Sequence, residues 1–219
     1  MIRFSIPPHP ASRRRVLRLL GAGTALPLVG CGGILPRPAP PPRLFLLRAP
    51  ARYASLPPVD VSTRRLLIAV PDAAYGLATQ RIVLTRGAYG LDYFADAAWQ
   101  DKMPAMVQSL LVESFENAGR LAAVGRGVVP WSADFTLQSN ILDFEAAYDA
   151  AMDAPRVKLR FNLTLVRNRD RSVVAHTDLT ETAQARRNAI DAVVAGFDQA
   201  FQALAPRLVS WTLAVMASA

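Results

Sequence analysis

Residues Val157-Lys158-Leu159-Arg160-Phe161-Asn162-Leu163-Thr164-Leu165 decide the fold. Val157, Leu159, Phe161, Leu163 and Leu165 alternate with Lys158, Arg160, Asn162 and Thr164. Every apolar side chain therefore falls on one face of an extended chain. A strand with one apolar and one polar face belongs to a sheet covered on one side only. Upstream, Phe135 to Ala147 reads as a second long strand. Phe135, Leu137, Ser139 and Ile141 alternate with Thr136, Gln138 and Asn140. Beyond that point the apolar parity moves to Leu142 and Phe144, which predicts a β-bulge. Downstream, Arg167 to Arg171 is a polar turn and Val173 to Thr182 a return strand.

Two helices supply the cover. Met103, Met106, Val107, Leu110, Leu111 and Phe115 recur at helical spacing and form one apolar stripe. Asp101 is the expected N-cap and Gly119 the expected stop. From about Asn188 a second helix carries Ile190, Val193, Val194, Phe197, Phe201, Leu204 and Leu208 on one side. Pro206 should kink or break it. Shorter strands are expected at Leu44–Leu47, Arg65–Val70 and Leu121–Val124, with a hairpin of Arg81–Thr85 and Gly90–Phe94 about Arg86-Gly87. Tyr53 to Asp60, with Pro57-Pro58, reads as a loop. The fold class is α+β, an antiparallel sheet packed on one face by two main helices.

The first part of the chain has a different composition. Residues 1–48 hold eight arginines and no acid, leaving 17 of the 25 basic residues to balance 17 acidic ones. The formal charge of +8 thus belongs to the leader and linker, and the neutral body lacks the cationic surplus that nucleic-acid binding needs. Arg13-Arg14-Arg15 and Arg18 form a basic n-region, and Val16 to Val29 is a mostly apolar run, the length of a signal-peptide core and too short to span a bilayer. Leu28-Val29-Gly30-Cys31 closes it and resembles a bacterial lipobox. Residues 1–30 are therefore expected to be a cleaved lipoprotein signal peptide. Cys31, the only cysteine, would carry diacylglyceryl and N-acyl (palmitate-type) chains. Ser12-Arg13-Arg14-Arg15-Val16-Leu17 also fits a twin-arginine export motif, so both export routes stay open. Gly32 to Pro42 is dense in proline and suits an extended spacer. The expected organisation is signal peptide 1–30, lipidated Cys31 and Pro-rich tether 31–43, and α+β body 44–219.

Candidate chemistry is sparse. After processing only His176 remains of the two histidines, and it has no partner at metal-ligand spacing. No nucleophile elbow, zinc-protease or phosphate-loop motif occurs. Asp143 and Glu145 share a strand face and could form an acid–base pair, though solvated carboxylates are the commoner case. Of Trp99, Trp131 and Trp211, burial is expected above all for Trp211. No catalytic, cofactor or metal residue is expected, and the chain reads as a non-enzyme.

The order of segments resembles the ABC-type transport auxiliary lipoproteins, whose PqiC-like members accompany MCE-domain transport systems. The resemblance is carried by Arg81-Ile-Val-Leu-Thr85, and by Trp99 leading into Met103–Phe115. Leu142-Asp-Phe-Glu-Ala-Ala-Tyr148, the strand Val157–Leu165 and the closing segment from Ala195-Gly-Phe-Asp198 to Trp211 complete it. It implies a periplasmic accessory of an intermembrane lipid transporter, for phospholipid or sterol-like cargo. The implied partners are an MCE-domain protein, an ABC permease and an ATPase, with a membrane reached through the lipid anchor and no nucleic acid. Gly32 after Cys31 agrees with outer-membrane sorting. The alternatives are a lipoprotein that holds lipid itself, with a cavity under the sheet, and a structural envelope lipoprotein without a transporter. A homo-oligomer is left open.

Overall fold

The computed structural model describes residues 40–149 and 153–219. The segment expected to be a signal peptide, Cys31 and most of the expected proline tether lie outside them. The elements run β1 (Arg43–Phe45), β2 (Arg65–Ile68), β3 (Asp72–Ala73), β4 (Arg81–Arg86), β5 (Gly90–Trp99), α1 (Met103–Ala118), β6 (Ala123–Arg126), β7 (Phe135–Tyr148), β8 (Arg156–Arg167), β9 (Ser172–Gln184) and α2 (Ile190–Ser218).

Strand β7 is the spine. On one side it pairs antiparallel with β8 along its length, and β8 pairs antiparallel with β9. The register shifts between Ile141 and Asp143, which places the predicted bulge at Leu142. On the other side three short segments lie end to end, each parallel to β7. Leu66 pairs with Phe135, Asp72 with Asn140 and Leu84 with Ala146. β6 adds parallel to β2, β5 antiparallel to β4, and β1 parallel to β5.

The sheet is therefore mixed, and the expectation of an antiparallel sheet is corrected on this side. Alternation reports which face a residue occupies and carries no information on strand direction. Arg43, placed in the tether by sequence, opens β1, and β5 continues past Phe94 to Trp99. Between Tyr93 and Ala98 the chain bulges, with Asp96 at φ 52°.

Both helices pack on one face. Val157, Leu159, Phe161, Leu163 and Leu165 are fully buried, as the alternation requires. Under the helices Trp99, Phe144 and Phe197 make a tight trio. Trp99 meets both phenylalanines edge-on at 5.9 and 5.2 Å, and the two phenylalanines stack at 5.2 Å. Such geometry adds to the burial of three large rings.

Asp101 does not cap α1. Lys102 holds the N-cap position without a side-chain cap bond, while the Asp101 carboxylate accepts the Lys102 N–H at 2.7 Å. The Met103 N–H is taken instead by the Thr79 carbonyl. Gly119 does end the helix, in the left-handed conformation at φ 61°. α2 runs through Pro206 without breaking. Tertiary packing holds it there, since Leu204, Ala205, Leu208 and Val209 on either side are all fully buried.

Candidate functional site

The chain enters the body as a strap. Arg43 pairs in β1 and forms an ion pair with Asp191, in the first turn of α2, at 2.7 Å. Further along, the Arg48 N–H donates to Asp198 and its carbonyl accepts from Gln202, both on α2. The Pro50 carbonyl accepts from Asn117, and the Tyr53 hydroxyl donates to the Ser114 carbonyl, both on α1. The segment thus crosses both helices before Arg120 donates to the Val59 carbonyl. These polar bonds and the buried Leu47, Ala49 and Val61 hold the strap to the body. Sequence reasoning read this stretch as a strand and a loop and missed its role as a clasp. No motif marks it, because its bonds are mostly to main-chain groups.

The apolar stretch Tyr89 to Phe94 divides between surfaces. Tyr89, at the hairpin tip, is fully exposed, and Leu91 is largely so. Tyr93 is half-buried: the Arg81 guanidinium lies 3.8 Å from its ring centroid, and its hydroxyl donates to the Gly76 carbonyl. Tyr75, next to Gly76, is exposed as well. Phe94 turns to the other side and meets Tyr148 at 6.4 Å. Tyr75, Tyr89 and Leu91 thus leave aromatic and apolar side chains exposed around this hairpin.

Asp143 and Glu145 lie on the helix-free face, opposite Arg160 and Lys158. Asp143 binds Arg160 at 2.6 Å and Lys158 at 3.1 Å through one oxygen. Glu145 accepts a hydrogen bond from Thr85 at 3.2 Å. Burial, reinforced by the Asp143 charge, raises Glu145 above its ordinary value. The arrangement is a cross-strand ion network of Asp143, Glu145, Lys158 and Arg160. His176 is exposed opposite Thr164. Trp99 is buried, whereas Trp211 and Trp131 are partly exposed, so the burial expected of Trp211 is incomplete. Among the described residues no group of His, Cys, Asp and Glu could hold a metal ion, and no helix is long and apolar enough to cross a membrane.

The family model for the ABC-type transport auxiliary lipoprotein component matches residues 45–209. The uncharacterized protein bll6063 of Bradyrhizobium diazoefficiens is 32% identical over 169 residues, covering 76% of this chain and 44% of that protein. The chain therefore spans less than half the length of this curated relative. The crystal structure of protein XCC0632 from Xanthomonas campestris aligns with a TM-score of 0.71 and 28% identity, covering 79% of this chain and 95% of that one. A second crystal structure, of an uncharacterized protein, aligns with a TM-score of 0.61 at 12% identity over 78% of this chain and 99% of its own, a likeness of fold alone. The matched residues run from β1 into the second half of α2, and the chain belongs to the ABC-type transport auxiliary lipoprotein family.

Proposed function

We propose that this chain is a lipid-anchored periplasmic accessory of an MCE-type ABC transporter, and that it helps lipid cross between membranes by docking the transport machinery. The observation that carries the reading is the family match over residues 45–209. The lipobox ending at Cys31 supports the anchor, and Gly32 supports the outer membrane as its site. The chain acts by tethering, not by catalysis. Anchor and spacer confine the body near its partner and raise its effective concentration there. The strap over α1 and α2 supports this, since it couples the tether to the core. Tyr75, Tyr89 and Leu91, or the outer edge of β9, would receive the MCE protein by packing or strand addition.

The test is a pull-down from detergent-solubilised envelopes with the full-length protein and a Cys31→Ala variant, read by mass spectrometry. The expected result is recovery of an MCE protein with its permease and ATPase by the wild type, and release of the variant from membranes. A lipidated wild type that brings down no transport component would overturn the accessory role.

A further inference from the structure

At one end of the sheet, where β7 begins and β8 ends, lies an open cleft of about 560 Å³. Arg64, Asp134, Phe135, Arg167, Asn168 and Arg169 line it. The Arg64 guanidinium rests over the Phe135 ring, 5.8 Å from its centroid, and makes no ion pair among the described residues. Arg169 is exposed and likewise has no ion pair there. Arg167 is committed elsewhere, donating to Asp170 and to the Ala219 main-chain oxygen, yet its Nε is buried without a partner. Asn168 is fixed by Thr136 and the Ala133 carbonyl, which sets the direction of its neighbours. Two carboxylates border the cleft: Asp134, which accepts the Arg65 N–H, and the α-carboxylate of Ala219, one oxygen of which accepts from Arg167.

Three guanidiniums, two of them without an ion pair among the described residues, outnumber the two engaged carboxylates and favour an anion, and the planar forks of arginine suit phosphate oxygens. We propose that this cleft binds an anionic phosphate group, with the headgroup of a glycerophospholipid as its intended source. Arg64 and Arg169 supply the charge. Phe135, on the cleft floor, holds the Arg64 fork by stacking. The site deepens the transport reading and rests on it for orientation. The tether root, Arg43, is bound at the first turn of α2, while Ala219 at the far end of that helix borders the cleft. A helix of 29 residues spans roughly 40 Å, so the cleft lies at the end of the body away from Arg43.

The experiment is isothermal titration calorimetry at low salt on the full chain carrying Cys31→Ala. Three probes are titrated below their aggregation limits: dihexanoyl-phosphatidylglycerol, dihexanoyl-phosphatidylcholine and inorganic phosphate. The expected order is phosphatidylglycerol tightest, with affinity falling at least about tenfold in Arg64→Gln/Arg169→Gln. An Arg186→Gln/Arg187→Gln control at the opposite end of the sheet should bind as the parent does. Circular dichroism melting identifies any variant that fails to fold. In that event the single variant Arg169→Glu, at an exposed turn, decides the matter. Inorganic phosphate binding as tightly as the lipid would overturn the headgroup as source. Absent binding, or equal affinity in the cleft variants, would overturn the site. None of these readouts uses a transporter, so failure of the docking role and failure of the cleft remain separable.

Discussion

The two flanks of β7 are built on different terms. On one flank β8 and β9 form a continuous antiparallel meander under α2. On the other, β2, β3 and β4 share the edge between them, with α1 packed against β2 and β6. The meander closes its own hydrogen-bond ladder almost from end to end. The broken flank leaves main-chain groups at its segment ends and in the adjoining loops, and side chains satisfy several of them. Gln108 donates to the Ile68 carbonyl, Asp134 accepts from the Arg65 N–H, Thr79 from the Arg81 N–H, and Tyr93 donates to the Gly76 carbonyl. The meander is held by apolar burial and the broken flank by specific polar bonds.

The largest effect should come from the meander's core. Phe161→Ala removes a fully buried ring from the middle of β8 and should cost about 3–5 kcal/mol in chemical denaturation. A loss below about 1 kcal/mol would mean that the meander is not the stable half. Next is the seam between α2 and β8. A Cβ built on Gly196 would meet the Val157 Cγ2 at 3.0 Å, so glycine lets the helix approach the strand. Gly196→Val should therefore cost about 1–3 kcal/mol by overpacking, and an unchanged melting temperature would show that the seam has slack.

The broken flank gives a sharper contrast. Gln108→Leu keeps an apolar volume in α1 but leaves the Ile68 carbonyl without this partner in a buried site. The expected cost is about 1–3 kcal/mol, from an unsatisfied acceptor and not from a cavity. A neutral result would break the distinction between the flanks, because it would show that the segment ends need no side-chain partner.

The same contrast explains what could be read from the sequence. β7, β8, β9 and their bulge were legible because one buried face imposes a period of two, and a slip in that period has a visible position at Leu142. The helices were legible from their stripes. The direction of β2, β3 and β4 was not, since parallel and antiparallel neighbours bury the same alternate residues. β3 is two residues long and leaves no period at all. Asp101 misled because the Thr79 carbonyl, distant in sequence, takes the donor that a cap would have answered. The cleft was invisible for a similar reason. Arg64 and Arg169 meet only through the pairing of β2 with β7 and of β7 with β8.

The smallest expected effect tests the junction of the flanks, where Thr85 of β4 reaches Glu145 of β7. Burial and the adjacent Asp143 raise the Glu145 carboxyl, so the folded chain holds that proton more tightly than the unfolded chain does. The associated stability is complete below the unfolded value of 4.5 and is lost as pH rises through the folded one. Glu145→Gln imitates the protonated form and can keep a Thr85 contact. It should melt slightly above the wild type at about pH 7, with the gap closing by about pH 3. Lys158 and Arg160 pull the other way, because each is attracted to a charged Glu145. A variant that melts lower than the wild type at neutral pH would show that this attraction outweighs desolvation. The junction would then be held by charge, like a surface network, instead of by the burial that governs the meander beside it.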